Sequence, residues 1–149
     1  GPKDLIKAMA VVQSQSTSGA CSISQAAALA ALTGPQDCVA AFATSFQKRR
    51  DAALAILSTA PSLQAVSPDG GFYIFPDCTA LIGKTAPDGT VINSDAELVQ
   101  YILKETGVAL LDGGSYGVPG TFRLSFASAI DDVREGCEAI RAVCSALSE

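Results

Sequence analysis

The 149-residue chain contains no histidine and no tryptophan, and it has one methionine. Without an imidazole it cannot assemble a Ser-His or Cys-His nucleophilic dyad, nor the helical His-Glu-x-x-His zinc site of metalloproteases. Its five cysteines stand far apart at Cys21, Cys38, Cys78, Cys137 and Cys144, with no Cys-x-x-Cys pair, so the usual zinc-binding and redox spacings are missing too. Cys137 and Cys144 lie seven apart on one face of an expected helix, where they read as small core hydrophobes. Positive charge is also scarce: ten lysines and arginines against fifteen acidic residues leave a net charge of −5, which argues against a nucleic-acid surface. No basic amphipathic stretch suggests a membrane-surface helix, and no apolar run approaches the length of a span. No basic segment followed by an apolar one opens the chain in the manner of a secretory leader, so the sequence reads as a soluble, cytoplasmic piece.

What remains is a pattern of helices followed by short strands. Asp4 to about Gln15 has helical spacing, with Leu5, Ile6, Met9 and Val12 expected on its buried side. A serine-rich loop follows, then an alanine-rich helix from Ile23 to Leu32 that Thr33-Gly34-Pro35 should stop. A long helix is expected from Asp37 to about Ser58, with Val39, Phe42, Phe46, Ala53 and Leu57 recurring on one face and Lys48-Arg49-Arg50 on a solvated one. Past Ala60-Pro61 the period changes to two. Leu63 to Val66 and Gly71 to Phe75 read as a hairpin turned by Ser67-Pro68-Asp69-Gly70, and Cys78 to Asn93 as a surface insertion. Ser94-Asp95-Ala96-Glu97 is a capping box that opens a helix with Leu98, Ile102 and Leu103 inward and Gly107 at its end. Val108 to Leu111 and Thr121 to Ala127 follow as strands around a glycine-rich loop. A last helix runs from Ile130 to Leu147 with Val133, Cys137, Ile140, Val143 and Leu147 inward.

One side chain stands out. In Thr121-Phe122-Arg123-Leu124-Ser125-Phe126, alternation sends the three apolar residues to the core and leaves Arg123 on the opposite face between two small hydroxyl residues. There its planar fork is either an ordinary solvated arginine or a bidentate grip for a carboxylate. The loop Gly113-Gly114-Ser115-Tyr116-Gly117 before it lacks the Gly-Lys-Ser/Thr ending of a phosphate loop and precedes a strand, so its glycines are assigned to a tight turn.

Asp69-Gly70-Gly71-Phe72-Tyr73-Ile74-Phe75-Pro76-Asp77, followed at the right distance by Thr121 to Ala127, resembles the C-terminal domain of class I aminotransferases dependent on pyridoxal phosphate. Gly1-Pro2-Lys3-Asp4-Leu5-Ile6, Gln13-Ser14-Gln15-Ser16-Thr17-Ser18 and Ser22-Ile23-Ser24-Gln25 are similar to the bacterial aspartate aminotransferase group, in the same order. The resemblance implies an α/β fold: a small C-terminal domain with a few-stranded sheet covered by helices, preceded by helices of a truncated large domain. It divides the chain into residues 1–34, belonging to the large cofactor-binding domain, and residues 35–149, the small domain with its bridging helix. It implies that Arg123 binds the substrate's α-carboxylate, that Phe72, Tyr116, Ser16 and Thr17 line the active site, and that the complete enzyme is a homodimer. Its substrates would be an amino acid, aspartate or glutamate by resemblance, and a 2-oxo acid.

The family's paired motifs, a Ser-x-x-Lys that supplies the Schiff-base lysine followed by a Gly-x-Arg-x-Gly that holds the cofactor phosphate, do not occur together, because no Gly-x-Arg-x-Gly is present. Of the five lysines, Lys3, Lys7, Lys48, Lys84 and Lys104, Lys48 alone has a serine three residues before it, and Ser45-Phe46-Gln47-Lys48 runs into Arg49-Arg50 in the middle of the expected long helix with no Gly-x-Arg-x-Gly after it. The chain therefore reads as a segment of an enzyme that is inactive alone and holds no cofactor covalently. The alternative is a stand-alone, non-catalytic α/β module that binds a carboxylate ligand or a protein.

Overall fold

The computed structural model describes residues 1–148 and comprises two compact units, Gly1–Ala41 and Phe42–Glu149. The first holds α1 (Lys3–Ser16), α2 (Ser22–Thr33) and the beginning of α3 (Asp37–Leu57). Helical spacing correctly located these helices, but α1 and α2 bury no residue at all. Leu5, Ile6, Met9 and Val12, expected inward, are 49 to 68% exposed, because nothing in this chain covers their face. Val39 and Phe42 near the start of α3 are exposed for the same reason, whereas Ala53 and Leu57 towards its end are fully buried.

The second unit has a true core. A three-stranded antiparallel sheet runs in the order β1-β3-β2, from β1 (Tyr73–Ile74), β2 (Leu111–Asp112) and β3 (Phe122–Ser125). The register sets Tyr73 opposite Ser125, Ile74 opposite Leu124, and Leu111 opposite Arg123. Alternation along β3 buries Phe122 and Leu124, and with Ile74 they meet Leu98 and Ile102 of α4 (Asp95–Thr106) and Val133, Cys137, Ile140 and Cys144 of α5 (Ile130–Ala146). Each large apolar side chain so buried contributes about 1.5–3 kcal/mol relative to exposure. Leu103, expected inward, is half exposed, and Val143 only packs against the rim of this core.

Three expected elements differ. Leu63 to Val66 forms no strand, because Gln64 pairs with Asp77 alone and the intended hairpin partner, Tyr73–Ile74, pairs with β3. Residues 78–93 do more than decorate the surface: Cys78, Leu81, Ala86 and Ile92 are buried, while the Pro87-Asp88-Gly89 turn is exposed. The strand expected over Val108 to Leu111 begins at Leu111. Among the described residues no single helix is long and apolar enough to cross a membrane, although α2 and α3 reach that length and composition jointly.

Helix α4 begins as expected, with the Ser94 hydroxyl accepting from the Glu97 N–H at 3.2 Å. The returning Glu97 carboxylate is taken by Asn93, through its backbone N–H at 2.9 Å and its side-chain amide at 3.0 Å. Gly107 ends the helix in a left-handed conformation, its N–H bonded to the Leu103 carbonyl.

Candidate functional site

Arg123 lies on the central strand of the sheet, half-buried, with its side chain on the face opposite Phe122 and Leu124. Two aromatic rings flank its guanidinium. The guanidinium carbon is 4.3 Å from the centroid of Tyr73 on β1 and 4.7 Å from that of Tyr116 in the glycine-rich loop. Such contacts hold a cation against the electron-rich faces of the rings and use none of its N–H bonds on a charged acceptor. Among the described residues no carboxylate pairs with Arg123. A cleft of about 130 Å³ adjoins it, lined by Ala109, Leu110, Leu111 and Ser125. The arrangement is a fixed, partly dehydrated cation with its donors unclaimed, suited to a small carboxylate.

Tyr73 reaches this position through register. It faces Ser125 across the β1–β3 pair, so its ring lies diagonal to Arg123 on the same face. Its neighbour Phe72, which the sequence suggested as a lining residue, points elsewhere: its ring lies tilted against Tyr73 at 4.5 Å between centroids and approaches Phe46 at 6.1 Å. Phe72 therefore buttresses Tyr73, and the tyrosine beside it is the residue that touches the arginine. The signal for this was present in the alternation of Phe72-Tyr73-Ile74, since the residue before buried Ile74 must take the other face. Tyr116, also suggested from sequence, does join the cluster, with Phe75 edge-on to it at 6.0 Å. Ser16 and Thr17 belong to the first unit, exposed at the end of α1, whereas the whole Arg123 cluster lies in the second.

The loop that carries Tyr116 is a short 3-10 turn, Gly114–Tyr116, and no anion cradle. Its N–H groups are already spent: Gly114 on Asp95, Ser115 on Asp112, Tyr116 and Val118 on the Gly113 carbonyl, and Gly117 on the Gly114 carbonyl. Gly113 permits the close turn, for a Cβ there would collide with the Thr121 hydroxyl and the Val118 carbonyl.

A larger depression of about 300 Å³ lies between α3 and residues 68–71. Its cation, Arg50, is already engaged by the Asp51 carboxylate at 2.8 Å and the Pro68 carbonyl at 3.1 Å, unlike Arg123. Arg49 packs over the Phe46 ring at 5.2 Å, which leaves only Lys48 of the basic triplet on the solvated face expected for all three. The buried thiols are inert by environment. Burial pushes Cys78 and Cys144 up to about 12 and Cys137 to about 11, far from thiolate at neutral pH.

The residues around Arg123 do not fit a cofactor site. No lysine lines the adjoining cleft, the loop N–H groups have partners within the chain, and Lys104 is paired with Asp88 at 3.0 Å and Glu105 at 3.2 Å. What the chain offers there is a half-buried guanidinium beside a small, mostly apolar cleft.

Known proteins share both the sequence and the fold of this chain. The family model "aminotransferase class I and II" matches residues 1–140. The chain is 45% identical over 148 residues to the aspartate/prephenate aminotransferase of Cereibacter sphaeroides, covering 99% of this chain and 37% of that protein. It superposes on the crystal structure of the aspartate aminotransferase from Rhizobium meliloti with a TM-score of 0.91 at 43% identity, over 99% of this chain and 37% of that one. The aspartate aminotransferase of Thermus thermophilus with maleate follows with a TM-score of 0.75 at 35% identity, over 96% and 35%. The chain thus spans little more than a third of the length of the relatives it matches. With the family model running through all but its last few residues, the chain belongs to the class I and II aminotransferases.

Proposed function

We infer that this chain is the C-terminal part of a longer pyridoxal-phosphate-dependent aminotransferase, and that Arg123 holds the α-carboxylate of its amino-acid substrate. The observation that carries the reading is a guanidinium flanked by Tyr73 and Tyr116 with no carboxylate partner among the described residues. Amino transfer needs the substrate's α-carboxylate fixed, so that the bond broken at Cα keeps one orientation to the cofactor. A planar fork held against two rings fixes that angle, and a flexible ammonium does so less well. The cofactor supplies the electron sink, and its contacts are assigned to the part of the enzyme outside this chain.

Aspartate or glutamate as amino donor, and a 2-oxo acid as acceptor, are supported by relatives named for aspartate and prephenate. We read the complete enzyme as a cytoplasmic homodimer. The test is Arg123→Lys in the full-length enzyme, expected to lower kcat/KM by about two powers of ten, or about 3 kcal/mol. Retention of near-normal kcat/KM would make Arg123 a surface arginine and remove the reading. A substrate panel tests the donor: clear preference for aromatic or small apolar amino acids over aspartate and glutamate removes that assignment.

A further inference from the structure

We propose that Asp95 is a positioning residue for the Arg123 site, one whose carboxylate fixes the loop that holds Tyr116 against the guanidinium. The proposal rests on the reading of Arg123 as the substrate-carboxylate receptor.

Asp95 is the sole buried charged residue among the described residues, 7% exposed, and no lysine or arginine pairs with it. A buried carboxylate without a cation is costly unless its oxygens are saturated with donors. Here they are. One oxygen accepts from the N–H groups of Gly114 at 2.9 Å and Gly120 at 3.1 Å, and the other from the Ala96 N–H at 3.0 Å, at the first turn of α4 where the helix dipole favours an anion.

The two glycines bracket the segment that carries Tyr116. Gly114 opens its 3-10 turn, and Gly120 lies two residues before β3, the strand that bears Arg123. One oxygen atom thus ties the start of the tyrosine loop to the entry of the arginine strand. The loop's internal bonds, from Tyr116 and Val118 to the Gly113 carbonyl, fix its shape but do not attach it to the helical layer. Among the described residues, the 114–116 turn receives no other hydrogen bond from outside residues 112–121. Gly120 has φ +80, and a Cβ there would lie 2.6 Å from the Thr79 hydroxyl, so this crossing is also built for close backbone approach. Asp95 touches neither Arg123 nor the cleft beside it. It acts through the loop.

The test is a double-mutant cycle in the full-length holoenzyme with Asp95→Ala and Tyr116→Ala, reading kcat, KM and melting temperature. Each single change should lower kcat/KM by about tenfold, chiefly through KM, and the double variant should lose about as much as one single variant, because both remove the same flank of the guanidinium. Asp95→Asn keeps an oxygen for the two glycine N–H groups and should stay within about threefold of wild type. Where Asp95→Ala does not accumulate, Asp95→Ser takes its place in the cycle, polar enough for the first turn of α4 but too short to reach the loop. Losses that multiply in the double variant, or a lowered melting temperature with kcat/KM unchanged, would overturn the proposal. Arg123→Gln separates the two inferences. If it keeps its kcat/KM, the carboxylate-receptor reading fails; if it loses about a hundredfold while the Asp95 variants do not, only the role of Asp95 falls.

Discussion

Tyr73 and Arg123, on neighbouring strands of the sheet, stack with 4.3 Å between the ring centroid and the guanidinium carbon. The contact is diagonal across the β1–β3 pair, and the ring is braced in turn by Phe72. Arg123 is therefore held before any ligand arrives, which lowers the entropic cost of the carboxylate binding proposed for it.

If the ring face is what orients the arginine, Tyr73→Phe should leave substrate binding by the full-length enzyme within about twofold, and Tyr73→Ala should weaken it by about 1–2 kcal/mol. Steady-state KM and inhibition by a dicarboxylate such as maleate report this. Equal losses in the two variants would point to the hydroxyl instead of the ring.

The Ser94 hydroxyl caps α4 at the Glu97 N–H, and the Asp95 carboxylate stands one residue further on. Ser94→Ala should cost about 1 kcal/mol in denaturant unfolding, the usual worth of such a cap. The change leaves the Asp95 bonds in place, so in the full enzyme kcat/KM should move much less than with Asp95→Ala.

Acid should weaken this chain in a definite window. Backbone N–H donation from Thr90 and the Lys104 ammonium hold Asp88 down at about 2, backbone donors also lower Asp77 and Glu97, and the Ser115 side chain and N–H lower Asp112. A carboxylate whose folded pKa is depressed contributes stability above its unfolded pKa, near 4, and loses it as pH falls towards the folded value. With no histidine to titrate, stability should change little from about pH 6 to 8 and fall below about pH 4. Asp88→Asn should melt slightly lower than wild type at neutral pH, and the two should converge near pH 2, as thermal melts across pH will show. A gap that widened in acid would contradict the assignment.

Thiol chemistry should divide the cysteines. Cys21 and Cys38 are exposed and Cys78, Cys137 and Cys144 buried, with the N–H groups of Ile23 and Ser24 drawing the Cys21 thiol below the usual value. An aromatic disulfide reagent should titrate two thiols rapidly in the folded chain and all five in denaturant. Rapid reaction of a third without unfolding would show that the core of the second unit is open.

Leu5, Ile6, Met9, Leu29 and Leu32 are 49 to 81% exposed on α1 and α2. The isolated chain should therefore self-associate or bind an apolar dye, and it should form no borohydride-sensitive adduct with pyridoxal phosphate at a single lysine. Sedimentation and reductive trapping check these outcomes. A monomeric, cooperatively melting chain would argue against the missing cover, and saturable trapping at one lysine against the division of labour proposed above.

Local chemistry placed the helices. The 3.6-residue spacing, the Ser94–Glu97 cap and Gly107 act within a few residues of one another, so α1 to α5 were legible from sequence to within a residue or two. Alternation in Phe122-Arg123-Leu124 likewise set which face Arg123 occupies. Partners were another matter. Tyr73–Ile74 reads equally well as the second arm of a hairpin with Leu63 to Val66, and only the competing pairing with β3, some fifty residues on, brought Tyr73 to Arg123. Asp95 looked like one letter of a capping box, and its bonds to Gly114 and Gly120 span 19 and 25 residues. The sequence determined which residues could face a ligand, because a side chain's face follows from its own backbone period. Which of them meet was decided by the tertiary structure, where long-range pairing and the burial of a single carboxylate select one arrangement among several locally permitted ones.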